Sequence, residues 1–223
     1  MGASSPVLFS IRLSLQVAFV VTVFMLLAGV PMAYILARKN FWGKGLLDVL
    51  LTLPLVLPPT VTGYYLIIIF GREGIVGRPL YELTGWTVTF TWYAAALASF
   101  IVAMPLMIRT SRAAMESVDQ SLVNASYTLG HGELRTAFSV ILPLAGKGIL
   151  AGLVLSFARA IGEFGATLMF AGDIPGRTET MPLAIYSYLE SGDWSHVHGM
   201  VIILTLLSGT VIYLANRMSR RII

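Results

Sequence analysis

The sequence predicts an all-α, polytopic membrane protein with about five transmembrane helices, six at most, forming one domain over residues 1–223. Three observations carry that prediction. The chain is 57% hydrophobic and only 12% charged, where a soluble domain carries about 25% charged residues. Several apolar runs approach or exceed the roughly 20 residues a helix needs to cross a bilayer. The basic residues, finally, gather in alternate connections between those runs.

The runs lie near Ser14–Ala37, Leu46–Phe70, Phe90–Ile108, Gly146–Ala171 and Val197–Asn216. The first is too long for a signal-peptide core and shows no small-residue cleavage pattern, so it reads as a span. Arg38, Lys39 and Lys44 follow it, Arg109, Arg112, Arg135 and Lys147 follow the third, and Arg217, Arg220 and Arg221 close the chain. The other connections hold Arg72 and Arg78 balanced by Glu73 and Glu82, and then Arg177 alone. Basic residues mark the cytoplasmic side, which predicts an external N-terminus and a cytoplasmic C-terminus. The net charge of +4 is thereby explained without a nucleic acid. The chain has no cysteine, which removes disulfides and thiolate metal sites from consideration.

The second run contains Pro58 and Pro59, which remove two backbone donors and predict a kink or break. Within a bilayer such a break survives only against other protein or a water-filled path. Thr60, Thr62 and Gly63 follow it and are candidates to line a translocation path. The fourth run holds a comparable stretch, Gly162 to Thr167, in which Gly165 permits close helix approach and Glu163 and Thr167 add polarity. Arg159 and Glu163 stand four apart on one helical face, either as an internal ion pair or flanking the path. Over Ile174–Glu190 the sequence leaves open a helix dipping into the membrane or an outer loop.

The polar segment from about residue 110 to 146 is the longest connection on the basic side. Ser117-Val118-Asp119-Gln120 is suited to a capping box. Val118, Leu122, Ala125 and Leu129 recur at helical spacing and predict one apolar stripe. Gly130 and Gly132 supply a left-handed C-cap, and Glu133–Ser139 reads as a second short helix that stops before Pro143. A helix of about a dozen residues cannot cross a bilayer, so its apolar face belongs on the chain's own spans or in a partner's groove.

No G-x-x-x-x-G-K-[ST] phosphate loop occurs, so the chain does not bind ATP by that route. His196 and His198 could pair on a strand, but no third ligand lies nearby and solvated polar sequence is the plainer reading. No residue set suggests an intramembrane protease. The chain reads as neither enzyme nor metal protein.

One spacing is specific. Asn124-Ala125-Ser126, three residues, Gly130, nine residues and Val140-Ile141-Leu142-Pro143 resemble the coupling-loop signature of ABC-importer permeases, with Asn124 in place of its Glu. From about Ser10 to Arg217 the chain is further similar to molybdate permeases, through Leu53–Gly63, Gly71–Gly74, Phe157–Thr167 and Ile174–Thr180. The resemblance implies a multi-pass permease of a prokaryotic cytoplasmic membrane that translocates molybdate, with tungstate or sulfate as alternatives. It implies a second copy of the chain, an extracytoplasmic binding protein, and two ATPase subunits holding ATP and Mg. Val118, Leu122, Asn124, Ala125, Ser126, Leu129, Gly130, Leu142 and Pro143 would then couple to the ATPase, and Pro58, Pro59, Thr60, Thr62, Gly63, Glu163, Gly165 and Thr167 would line the path. A secondary transporter or channel is the competing class, but it usually shows internal repeats, and none is evident.

Overall fold

The computed structural model describes residues 6–221; the side chains of 214–216 and 218–221, and with them Arg220 and Arg221 of the basic tail, lie outside the described residues. The described chain is helical. In order, the helices are α1 (Pro6–Arg38), α2 (Lys44–Val56), α3 (Pro59–Phe70), α4 (Gly77–Thr84), α5 (Trp92–Glu116), α6 (Gln120–Thr128), α7 (Glu133–Ile161), α8 (Gly165–Ala171), α9 (Met181–Glu190) and α10 (Trp194–Arg221). Among the described residues, α1, α5, α7 and α10 are long and apolar enough to cross a membrane. The run predicted as the second span is divided into α2 and α3 at Leu57–Pro58.

Helix α5 is the axis of the bundle. Its most apolar window is 61% buried, against 11% for α10, which therefore sits at the edge. The reason is composition: Ala94, Ala95, Ala98, Ser99, Val102, Ala103 and Ser111 present small side chains that let α1, α7 and α8 approach. Membrane helices associate through such small residues. On α7, Gly148 and Gly152 face Ala114 and Ser111 so closely that added Cβ atoms would stand 2.2 and 3.2 Å from them.

Two predicted boundaries need correction. The third span does not end at Ile108; α5 continues to Glu116, so Arg109 and Arg112 are helical. The fourth run is not one span: α7 starts at Glu133, runs through Pro143 and ends at Ile161, and α8 restarts at Gly165. Pro143 does not stop the helix because a π-turn, Ala137–Ile141, precedes it, with Leu142 N–H donating to Ala137 C=O. That wider turn absorbs the bond a proline cannot make. Helix α1 repeats the device: a π-turn at Met25–Gly29 ends two residues before Pro31. Both turns flank one apolar groove of about 350 Å³ lined by Leu26, Leu27, Pro31, Leu134 and Phe138.

The segment left open after α8 forms a turn and then α9, whose Met181, Leu183 and Ala184 are buried. Thr178 Oγ1 closes the turn by donating to Gly172 C=O at 2.8 Å. Ser14 Oγ accepts from the Met181 amide at 2.7 Å, and Ser10 Oγ donates to buried Glu179 at 3.2 Å, which fixes α9 on α1. His196 and His198 lie on a helix, not a strand, and two residues apart they point away from each other. His196 Nδ1 lies 2.6 Å from Asp193 Oδ2, with its ring stacked on Tyr188.

Candidate functional site: a broken-helix junction and a helical docking loop

The two interrupted runs meet. At the first interruption, Pro58 C=O accepts from the amides of Val61 and Thr62 at 2.9 and 3.1 Å, so α3 restarts at once. At the second, Glu163 turns inward: its Oε1 accepts from Ala166 N–H at 2.8 Å, satisfying one of the freed donors at the start of α8. Its Oε2 lies 2.6 Å from Arg159 Nη1, an ion contact without the alignment of a hydrogen bond. Glu163 is 1% exposed at the side chain and Arg159 is 30% exposed, so the carboxylate is the buried partner.

Close backbone approach holds α3 on α8. A Cβ on Gly63 would stand 2.7 Å from Met169 Cβ and 2.9 Å from Ala166 C=O. One on Gly165 would stand 3.0 Å from Pro59 Cβ. Of the predicted path residues, the junction thus brings together Pro59, Thr60, Gly63 and Gly165. Thr62 and Thr167 are buried, and neither hydroxyl has a hydrogen-bond partner among the described residues. Pro58 and Thr60 are exposed.

The loop after α5 is built differently from the predicted capping box. Ser117 Oγ donates back to Ala114 C=O at 2.9 Å, and Asp119 is the N-cap, accepting from Ser121 N–H at 2.8 Å. Bonds from the Ser121 amide and side chain hold the Asp119 carboxyl below its ordinary range. Asp is as good a cap as Ser, and a start one residue later satisfies the first amides of α6. Gly130 ends the helix at φ +80°, and His131 N–H donates to Ser126 C=O at 3.2 Å. Gly132 is extended, with φ −74° and ψ 171°, and leads into α7 instead of sharing the cap.

The predicted stripe divides. Val118 is buried, whereas Leu122 and Leu129 are 48% and 77% exposed, with Ala125 and Asn124 beside them on the outer surface. The inward face of α6 is Val123 and Ser126. Ser126 Oγ shares hydrogen bonds with His131 Nδ1 at 3.1 Å and Thr136 Oγ1 at 2.9 Å. Leu142 packs against the small core under the loop, around Met115, Val118, Val123 and Ile141, and Pro143 is exposed.

Several residues that fix the loop lie outside the motif. Arg38, at the end of α1, donates to Met115 C=O at 2.6 Å and to Gln120 Oε1 at 3.0 Å. Gln120 Nε2 passes the chain to Asn124 Oδ1 at 3.1 Å. Lys39 pairs with Glu133 at 2.6 Å. The i,i+4 spacing of Gln120 and Asn124 is a signal the sequence offers; Arg38 offers none, being 82 residues from Gln120.

The described chain is thus a bundle of membrane-length and interrupted helices carrying a short helix whose Leu122 and Leu129 stay bare outward. Residues 25–223 match the family described as binding-protein-dependent transport system inner membrane component, and the chain belongs to that family. It is a multi-pass inner-membrane permease component of an ABC importer. It is 46% identical over 182 residues to the molybdenum transport system permease protein ModB of Escherichia coli K12, covering 82% of this chain and 80% of that one. It is 42% identical over 213 residues to ModB of Haemophilus influenzae, covering 95% and 93%. The fold matches an inward-facing MetNI methionine ABC transporter chain with a TM-score of 0.75 at 17% identity, covering 99% of this chain and 100% of that one.

Proposed function

We propose that this chain is the transmembrane subunit of an ATP-driven importer that carries molybdate into the cell. The reading of the substrate rests on the similarity to the ModB proteins over most of both chains. The observation that carries the coupling mechanism is α6: Ser126 is buried and bonded inward, while Leu122 and Leu129 stay bare on the outer face. That face fits a cleft on a cytoplasmic ATPase subunit, which holds the ATP and Mg that this chain has no phosphate loop to bind. The N-terminus is then outside and the C-terminus inside, with two copies forming the path beneath an extracytoplasmic molybdate-binding protein.

Thr62 and Thr167, whose hydroxyls find no protein partner among the described residues, suit a path wall that opens when α3 and α8 turn toward the centre. A lining of hydroxyls without a cation cage passes a dianion without trapping it.

The test is uptake of radiolabelled molybdate by cells with and without the gene, with sulfate or tungstate as competitor. Gene-dependent uptake resistant to sulfate is expected; loss of sulfate import instead would move the substrate to sulfate. In the same cells, Leu122→Asp with Leu129→Asp is expected to cut uptake at least about tenfold and release the ATPase on purification, since charges would enter an apolar groove. Retained uptake and co-purification would remove α6 from the coupling role.

A further inference from the structure

A second groove, of mixed polar and apolar lining, lies between α2 and α5, away from the α3–α8 junction. Its volume is about 220 Å³, and Asp48, Val49, Thr52, Leu53, Val56 and Arg109 line it. The α2 residues recur at i, i+1, i+4, i+5 and i+8, so they form one helical face. Val56 ends that face immediately before the Leu57–Pro58 break. The groove therefore reaches up to the break from which α3, one side of the candidate path, restarts.

Arg109, which lines it, differs from Arg112, its neighbour on α5. Arg112 is neutralised twice, by Asp48 at 3.1 Å and Glu116 at 2.7 Å. Arg109, one turn deeper in the same helix, is exposed and has no hydrogen bond or ion pair among the described residues. Thr52, across the groove, likewise has no side-chain hydrogen bond there. A guanidinium does not lose its charge, and a charge on a span faces protein or water rather than lipid. The groove thus holds the Arg109 cation and the Thr52 hydroxyl between Val49, Leu53 and Val56, while the one carboxylate that lines it, Asp48, is paired with Arg112. The forked guanidinium fits two oxygens of one anion, and its exposure keeps the hold weak.

We propose that Arg109 and Thr52 form a weak binding site for a tetrahedral oxyanion, the last station of the path before release. The inference rests on the reading of this chain as an oxyanion permease. A single arginine and one hydroxyl hold the dianion long enough to define an exit and not long enough to block it. The same chemistry would accept the phosphate of a lipid headgroup, and the experiment separates the two sources.

The chain has no cysteine, so Val56→Cys gives a single reporter on the groove. In the detergent-purified complex with its ATPase, the rate at which an anionic methanethiosulfonate modifies this chain is read by mass. Millimolar molybdate is expected to slow modification at least about threefold by occupying the site and cancelling its field. Arg109→Gln should abolish that protection, and Arg109→Lys should retain part of it. Protection by molybdate assigns the site to the transported anion; protection by short-chain phosphatidic acid alone assigns it to lipid. No protection by either, or equal protection in Arg109→Gln, overturns the site. Should Arg109→Gln fail to assemble with the ATPase, Thr52→Val provides the same comparison. Absent protection with wild-type uptake intact removes the site and leaves the importer; protection without any molybdate uptake does the reverse.

Discussion

Glu163 carries two tasks with its two oxygens, capping α8 and meeting Arg159. Removing one member of a buried pair strands the other, at about 3–5 kcal/mol when both are fully buried. Here the partners differ: Arg159 retains solvent access and Glu163 does not. Arg159→Ala is therefore expected to lower the thermal stability of the purified complex, by about 2–3 kcal/mol, more than Glu163→Gln does. The glutamine keeps an acceptor for Ala166. The double variant should recover most of the loss, and additive losses would show that the two residues do not act as a pair. Glu179 offers a different titration. Burial pushes its carboxyl above the ordinary range, Ser10 opposes that by hydrogen bonding, and Asp173 adds to it. A raised folded-state value favours the folded form below the unfolded carboxyl range near pH 4.3, and that contribution fades as pH rises through the folded value. Melting temperature should accordingly fall as pH rises above about 4.3 in the wild type and less steeply in Glu179→Gln; parallel slopes would contradict the assignment.

At the scale of the element, α6 depends on how its ends are made. Gly130 sits at φ +80° with open space around an added Cβ, so a substitution there meets backbone strain and no collision. Asn tolerates that conformation, whereas a β-branched residue does not, at about 1–2 kcal/mol. Gly130→Asn should keep near-wild-type uptake while Gly130→Val loses most of it with membrane insertion intact; equal uptake in the two would mean the turn is not needed. The break between α2 and α3 is legible in the sequence, because two adjacent prolines remove donors whatever surrounds them. The break between α7 and α8 is not. No proline marks it; the stretch Gly162 to Gly165 shows only as small and polar residues, and the break is set by Glu163 folding back to cap Ala166 three residues on, a local bond that glycine and glutamate in a span do not announce. Pro143 misleads in another way: a proline reads as a helix stop, and only the π-turn just before it lets α7 pass. The docking stripe is half legible, since Leu122 and Leu129 face outward as a partner would need, while Val118 belongs to the small core beneath.

Over the whole molecule, run lengths anticipate four of the five expected spans, α1, α5, α7 and α10, because a bilayer imposes length on any chain that crosses it. Contacts between distant segments leave no such trace. The Arg38 bonds to Met115 and Gln120 join the end of the first span to the end of the third and to α6. Lys39 and Glu133 add the start of α7. Under the proposed coupling role, a push on α6 would be shared by α1, α5 and α7 together. The opposite constraint holds at the junction. With Gly63 and Gly165 pressed against facing backbone, α3 and α8 have no slack to slide past each other, and parting them would leave main-chain groups at both breaks facing hydrocarbon. They must travel as one piece. Under the transport role proposed above, Leu57–Pro58 and Gly162–Phe164 are the two joints about which a paired shutter of half-helices would swing.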